Sequence, residues 1–168
     1  MAKTVVRAFP RAPRALVEGM LGEEYQRLRS ERLGGTGVPE ITWEGGRADA
    51  GGGPVTVRFP RRLPLDDVPG PLRSLAGGGE LVQVERWHLI SDERCAATFT
   101  TESAMPGTVS GTYEVVPAAG GGATFTVVAS ATIRVPLIGG RIAREVEGHV
   151  ANLVEAEMDL AAEFLAER

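Results

Sequence analysis

With 168 residues, 43% of them apolar and 24% charged, the chain can bury one sizeable core and is too short for two ordinary domains, so residues 1–168 are read as a single domain. Its net charge of -4 and pI near 5.3 provide no general attraction for phosphate backbones or anionic lipid, which argues against nucleic-acid and membrane-surface partners. Cys95 has no second cysteine to pair with, the opening MAKTVVRAF lacks the apolar segment of a secretory signal, and no apolar run approaches the roughly 20 residues that span a bilayer; a reducing, cytoplasmic setting without membrane insertion is expected.

Thr4 to Phe9 carries Val5, Val6 and Phe9 and predicts a short first strand, ended by Pro10, which has no N–H for a ladder. Ala12 to Leu21 places Leu16, Val17, Met20 and Leu21 on one helical face. Glu23 to Leu33 is charged apart from Tyr25, Leu28 and Leu33. Gly22 separates the two and Gly34-Gly35 stops the second, predicting a broken pair of short helices. Ile41 and Trp43, then Val55, Val57 and Phe59, alternate with polar residues across a glycine-rich stretch containing Gly45-Gly46 and Gly51 to Gly53, which reads as a hairpin. From Pro60 to Gly79 the chain has four prolines and little periodicity, save that Leu72 and Leu75 fit one short helical turn; a rim or lid over a site suits such a segment.

Leu81 to Ile90, Cys95 to Ser103, Val109 to Val116 and Ala123 to Val135 predict a four-strand meander joined at Ser91 to Arg94, Met105 to Gly107 and Ala118 to Gly122. If Phe99 faces inward, Cys95, Ala97 and Thr101 do too, and matched hairpin registers place Tyr113 opposite Phe99 and Val127 opposite Tyr113. In the last strand Phe125, Val127, Ala129, Ala131, Ile133 and Val135 share the dry face. Pro136 and Gly139-Gly140 then lead into one long helix, where Ile138, Ile142, Val146, Val150, Leu153, Leu160 and Phe164 form an apolar stripe that must lie on the sheet. The small residues Ala97, Ser103, Gly111, Ala129 and Ala131 occur where a packed core prefers Leu or Ile, so unfilled volume is expected between sheet and helix.

Few side chains suggest chemistry. Gln83, Glu85 and Trp87 share one strand face, and Trp87, the bulkier apolar group, is expected inside, carrying Glu85 toward the cavity. There Glu85 is either a proton donor or acceptor with a raised pKa or the partner of a nearby arginine. His149 lies beside Val150 near the helix stripe, either as a polar handle for a ligand or as a hydrogen-bonded structural histidine. With His88, His149 and Cys95 as the whole soft-ligand inventory, no three- or four-ligand zinc site is expected from His and Cys alone, and no metal or cofactor is expected. Cys95 has no evident base, and no Ser-His-Asp set is visible. Gly139-Gly140 ahead of a helix either receives an anion or lets the helix approach the sheet closely.

One strand, two helices, six strands and a long helix is the element order of the START-like superfamily, the helix-grip architecture of polyketide cyclases, lipid-transfer domains and pollen-allergen-type proteins. Glu85-Arg86-Trp87, the Pro106-Gly107 turn and Val135-Pro136-Leu137-Ile138-Gly139-Gly140-Arg141-Ile142 resemble, more narrowly, an actinobacterial family of that superfamily whose members carry only a domain-of-unknown-function label. The resemblance implies an α+β fold: a curved antiparallel sheet of about seven strands, two short helices after the first, and the C-terminal helix across the concave face over a deep apolar cavity. Phe59, Trp87, Ala97, Phe99, Tyr113, Phe125, Val127, Ala129, Val146, His149, Val150 and Leu153 are the expected lining. The expectation that follows is a noncatalytic carrier or sensor of a hydrophobic small molecule, lipid or polyketide-like. The alternatives are a cyclase or dehydratase in which Glu85 or His149 moves protons, and an interaction module using the rim Pro60 to Gly79.

Overall fold

The computed structural model describes residues 2–44, 54–63, 66, 70–74 and 77–168. Its elements are β1 (Lys3–Phe9), α1 (Pro13–Met20), α2 (Glu23–Arg32), β2 (Glu40–Trp43), β3 (Val55–Arg62), α3 (Gly70–Arg73), β4 (Glu80–Ile90), β5 (Cys95–Ser103), β6 (Gly107–Pro117), β7 (Ala123–Ile133) and α4 (Gly139–Ala166). The strands form one antiparallel sheet in the order β1-β7-β6-β5-β4-β3-β2, and α4 lies across β7 and β1. This is the helix-grip fold that the element order implied. The glycine-rich turn expected between β2 and β3, and Leu75, lie outside the described residues.

Period-two patterning explains the sheet's two faces. Along β3, Val55, Val57, Phe59 and Arg61 are buried while their neighbours are not, and along β7 the buried set is Ala123, Phe125, Val127 and Ala129. Val55 and Val57 of β3 and the buried set of β7 meet Leu16, Val17 and Met20 of α1, Tyr25 of α2, and Met158, Leu160, Ala161, Phe164 and Leu165 of α4 in the main core. A second, smaller cluster joins Leu72 of α3 to Ile142 of α4. The described part of the rim therefore turns an apolar side chain inward.

Two expectations are corrected. Tyr113 pairs with Ala97, not Phe99, which stands opposite Gly111; Tyr113 does face Val127. The β5–β6 turn is centred on Met105 rather than Pro106, and moving a turn centre by one residue moves every partner by two, which keeps the buried face and changes only the register. Ile138 is 38% exposed and precedes α4 instead of opening its buried stripe. The residue that approaches the sheet is Gly139, where a Cβ would stand 2.5 Å from the carbonyl oxygen of Ile133, so the close-approach reading of this glycine agrees with the geometry.

β1 ends its pairing at Lys3 opposite Ala129, so the next outward N–H of β7 lacks a strand partner. Glu147 of α4, 2% exposed, accepts that hydrogen bond from the backbone N–H of Ala131 at 3.0 Å. A buried carboxylate thus ties the helix to the sheet where the edge strand runs out.

Candidate functional site

The stripe of α4 is tightly buried at its two ends, at Ile142 and Ala143 and again from Met158 to Leu165, and only half-buried between, at Val146, Val150, Leu153 and Val154. Beneath that middle portion the sheet falls away and leaves a hollow of about 270 Å³. Its size lies close to the lower end of ordinary ligand pockets. Phe99 and Thr101 of β5 and Val109 and Tyr113 of β6 form the floor, with Leu81 of β4 to one side and Ile133 of β7 to the other. Leu63, Leu72 and Met105 close the rim, and His149 and Asn152 join the apolar residues of α4.

One end of the hollow is polar. Arg61, Gln83, Tyr113 and Glu157 line it, and behind them stands a buried ionic group centred on Arg29, which is 1% exposed. Arg29 pairs with Glu85 and, through Nε at 2.8 Å, with Glu157; its third nitrogen donates to Gln26 Oε1 at 3.2 Å. One oxygen of Glu85 also accepts from Gln83 Nε2 at 2.8 Å and from the Tyr113 hydroxyl at 3.3 Å. Burial works against the charge on Arg29, but Glu157 and Glu85 together outweigh it and hold its pKa above the ordinary arginine value. Burial pushes Glu157 up despite Arg29, and burial, reinforced by Glu85, pushes Tyr113 well up, so Tyr113 stays a neutral donor.

Of the residues expected to line the cavity, the structure brings together Phe99, Tyr113, Val146, His149, Val150 and Leu153. Phe59, Trp87, Ala97, Phe125, Val127 and Ala129 share the buried face but stand outside the wall. The reason is aromatic packing: Trp87 stacks on Tyr113 at 5.6 Å, Phe125 meets both edge-on, and Phe9 leans on Phe125 at 6.3 Å, filling the space over Ala97 and Ala129. Only a void of about 20 Å³ remains between Trp87, Phe125, Tyr25 and the ionic group, room for roughly one water. Phe59 is covered by two guanidinium groups, Arg29 at 4.6 Å and Arg61 at 5.1 Å.

Trp87 does point inward and takes Glu85 with it, but Glu85 lines the small void and not the hollow, so of the two proposed proton movers only His149 reaches the larger cavity. Arg29, Arg61 and Glu157 went unmarked in the sequence reading. The available signal for Arg29 was its place four residues after Tyr25, on the one apolar edge of a charged helix. Burial also pushes the Cys95 thiol up, away from nucleophilic character. Among the described residues no cluster of three His, Cys, Asp or Glu side chains could hold a metal, and no helix is long and apolar enough to cross a membrane.

Residues 4–165 match the family described as protein of unknown function (DUF2505). The chain belongs to that family. A conserved protein from Geobacillus kaustophilus superposes with a TM-score of 0.64 at 13% identity, covering 99% of this chain and 96% of that one. Truncated norcoclaurine synthase from Thalictrum flavum gives a TM-score of 0.57 at 13% identity, covering 100% and 96%. The di-domain ARO/CYC BexL of the BE-7585A biosynthetic pathway gives 0.54 at 12% identity, over 98% of this chain and 48% of that one. Among curated proteins no sequence match was found. At these identities the likeness is one of fold, and the fold this DUF2505 chain shares with them is the helix-grip fold.

Proposed function

We propose that this DUF2505 protein binds and carries a hydrophobic small molecule, lipid or polyketide-like, in the hollow between its sheet and α4. The observation that carries the reading is that the half-buried middle of a long helix lies over a mainly apolar space of about 270 Å³. An apolar face left without packing partners costs stability in water, and an apolar guest restores the lost contacts. Phe99, Tyr113, Val146, His149, Val150 and Leu153 are the proposed contacts. Proteins that share the fold include a named synthase and one half of a named ARO/CYC di-domain, which agrees with a scaffold that encloses small organic molecules.

Turnover draws less support. Glu85 is held by Arg29, Gln83 and Tyr113 outside the hollow, and a carboxylate with three donors on one oxygen is poorly placed to exchange protons with a guest. Of the two proton movers expected from the sequence, His149 alone is left in the hollow.

The test is titration of purified protein with the neutral apolar fluorophore N-phenyl-1-naphthylamine. A saturable, one-to-one rise in blue-shifted emission is expected, and Leu153→Trp, which adds bulk inside the hollow, should weaken it by about tenfold or more with the circular dichroism unchanged. Unsaturable emission, or equal binding by Leu153→Trp, would remove the hollow as the binding place.

A further inference from the structure

At the polar end of the hollow, Arg61 is a buried cation with no ion pair to a carboxylate among the described residues. Arg61 is 6% exposed and lines the cavity, yet among the described residues its guanidinium bonds only neutral acceptors: the carbonyl oxygen of Leu33 at 2.8 Å and Gln83 Oε1 at 3.4 Å. Its Nε has no hydrogen-bond partner among the described residues. The two carboxylates nearby, Glu85 and Glu157, are both engaged by Arg29. Burial lowers the pKa of Arg61, an effect that Glu157 offsets only in part, so the charge on Arg61 sits in an environment that does not satisfy it.

The guanidinium is nonetheless fixed in place. Arg61 is held from one side by the end of α2 through Leu33, from another by Gln83, and lies over the Phe59 ring. A guanidinium fixed in this way on the wall of an apolar hollow, with two of its five N–H groups engaged by neutral acceptors, matches an oxyanion carried at the end of an apolar body. We infer that the ligand is an amphipathic carboxylate, whose acidic end is received by Arg61 at the polar end of the hollow while its apolar part lies between Phe99, Val109 and Leu153. This rests on the reading that the hollow binds an apolar guest, and it adds the chemical class of that guest.

The experiment is calorimetric titration of the full chain at pH 7 with decanoate and, in parallel, with 1-decanol. Decanoate should bind roughly tenfold or more tightly than decanol. Arg61→Gln should bring the two affinities together while decanol binding persists, and Arg61→Lys should keep part of the preference. Equal affinities in the unaltered protein, or a preference that survives in Arg61→Gln, would overturn the assignment while leaving the apolar hollow in place. Failure of both probes to bind the unaltered protein would overturn the assignment together with the carrier reading beneath it. The comparison of the two probes on the unaltered chain decides the matter even where Arg61→Gln fails to fold.

Discussion

Arg29 illustrates how a single side chain can set a site that it does not itself line. It satisfies both Glu85 and Glu157 from α2, and by doing so leaves Arg61 as the cation facing the hollow. Removing one partner of a buried ion pair is far more damaging than replacing the whole group, because the remaining charges stay desolvated. Arg29→Met is expected to cost about 3–5 kcal/mol in urea unfolding at pH 8. The deficit should shrink toward pH 5. Without its cation Glu157 has a still higher folded-state pKa, and a group whose pKa is raised by folding contributes stability at low pH that is lost as pH rises through that value. A deficit constant across that range would show that the ionic group is not what Arg29 supports. In the sequence Glu85 was visible as a carboxylate on the inward face, and a pairing with some arginine was one of its two readings. Which arginine, and the role of Glu157, depended on two helices meeting over the sheet, and a linear pattern carries no such crossing.

At the scale of elements, the strands and the long helix were legible because burial on one face imposes its own period, two in the sheet and near 3.6 in α4. The observed limits of β5, Cys95–Ser103, are those the alternation predicts. Register was less legible, since a hairpin centred on Met105 and one centred on Pro106 bury the same residues. What selects the observed pairing is size. Phe99 stands opposite Gly111, and a Cβ on Gly111 would stand 1.9 Å from the carbonyl oxygen of Val128 and 2.6 Å from the Phe99 ring. That absent side chain lets Phe99 lie flat against Tyr113 at 4.9 Å and form the floor of the hollow. Gly111→Ala should therefore destabilise by about 2–3 kcal/mol, measured by urea denaturation, whereas Ser110→Ala on the exposed face should stay within about 0.5 kcal/mol. Similar small losses at the two positions would mean that the pairing tolerates a side chain there and that the register has another cause.

Seen as a whole molecule, the DUF2505 chain keeps its open space away from Ala97 and Ala129, two of the small residues that suggested it, and beside the others, Ser103, Gly111 and Ala131. Ala97 and Ala129 are indeed buried, but α1, α2 and the C-terminal part of α4 meet over them with Trp87, Phe125, Tyr25 and Met158, and the gap is closed by rings. The hollow opens instead toward Thr101, Val109 and Ile133, where the middle of α4 spans the sheet and Leu72 comes in from the rim. Local sequence reports how large each side chain is, while the location of a cavity depends on where neighbouring elements lean. The most direct test is to crystallise the protein with 1-iodooctane and locate the iodine by its anomalous signal. The account predicts a peak inside the hollow, in contact with residues such as Leu72, Phe99 and Leu153. A hollow filled by its own side chains, with iodine found only at the surface, would contradict it.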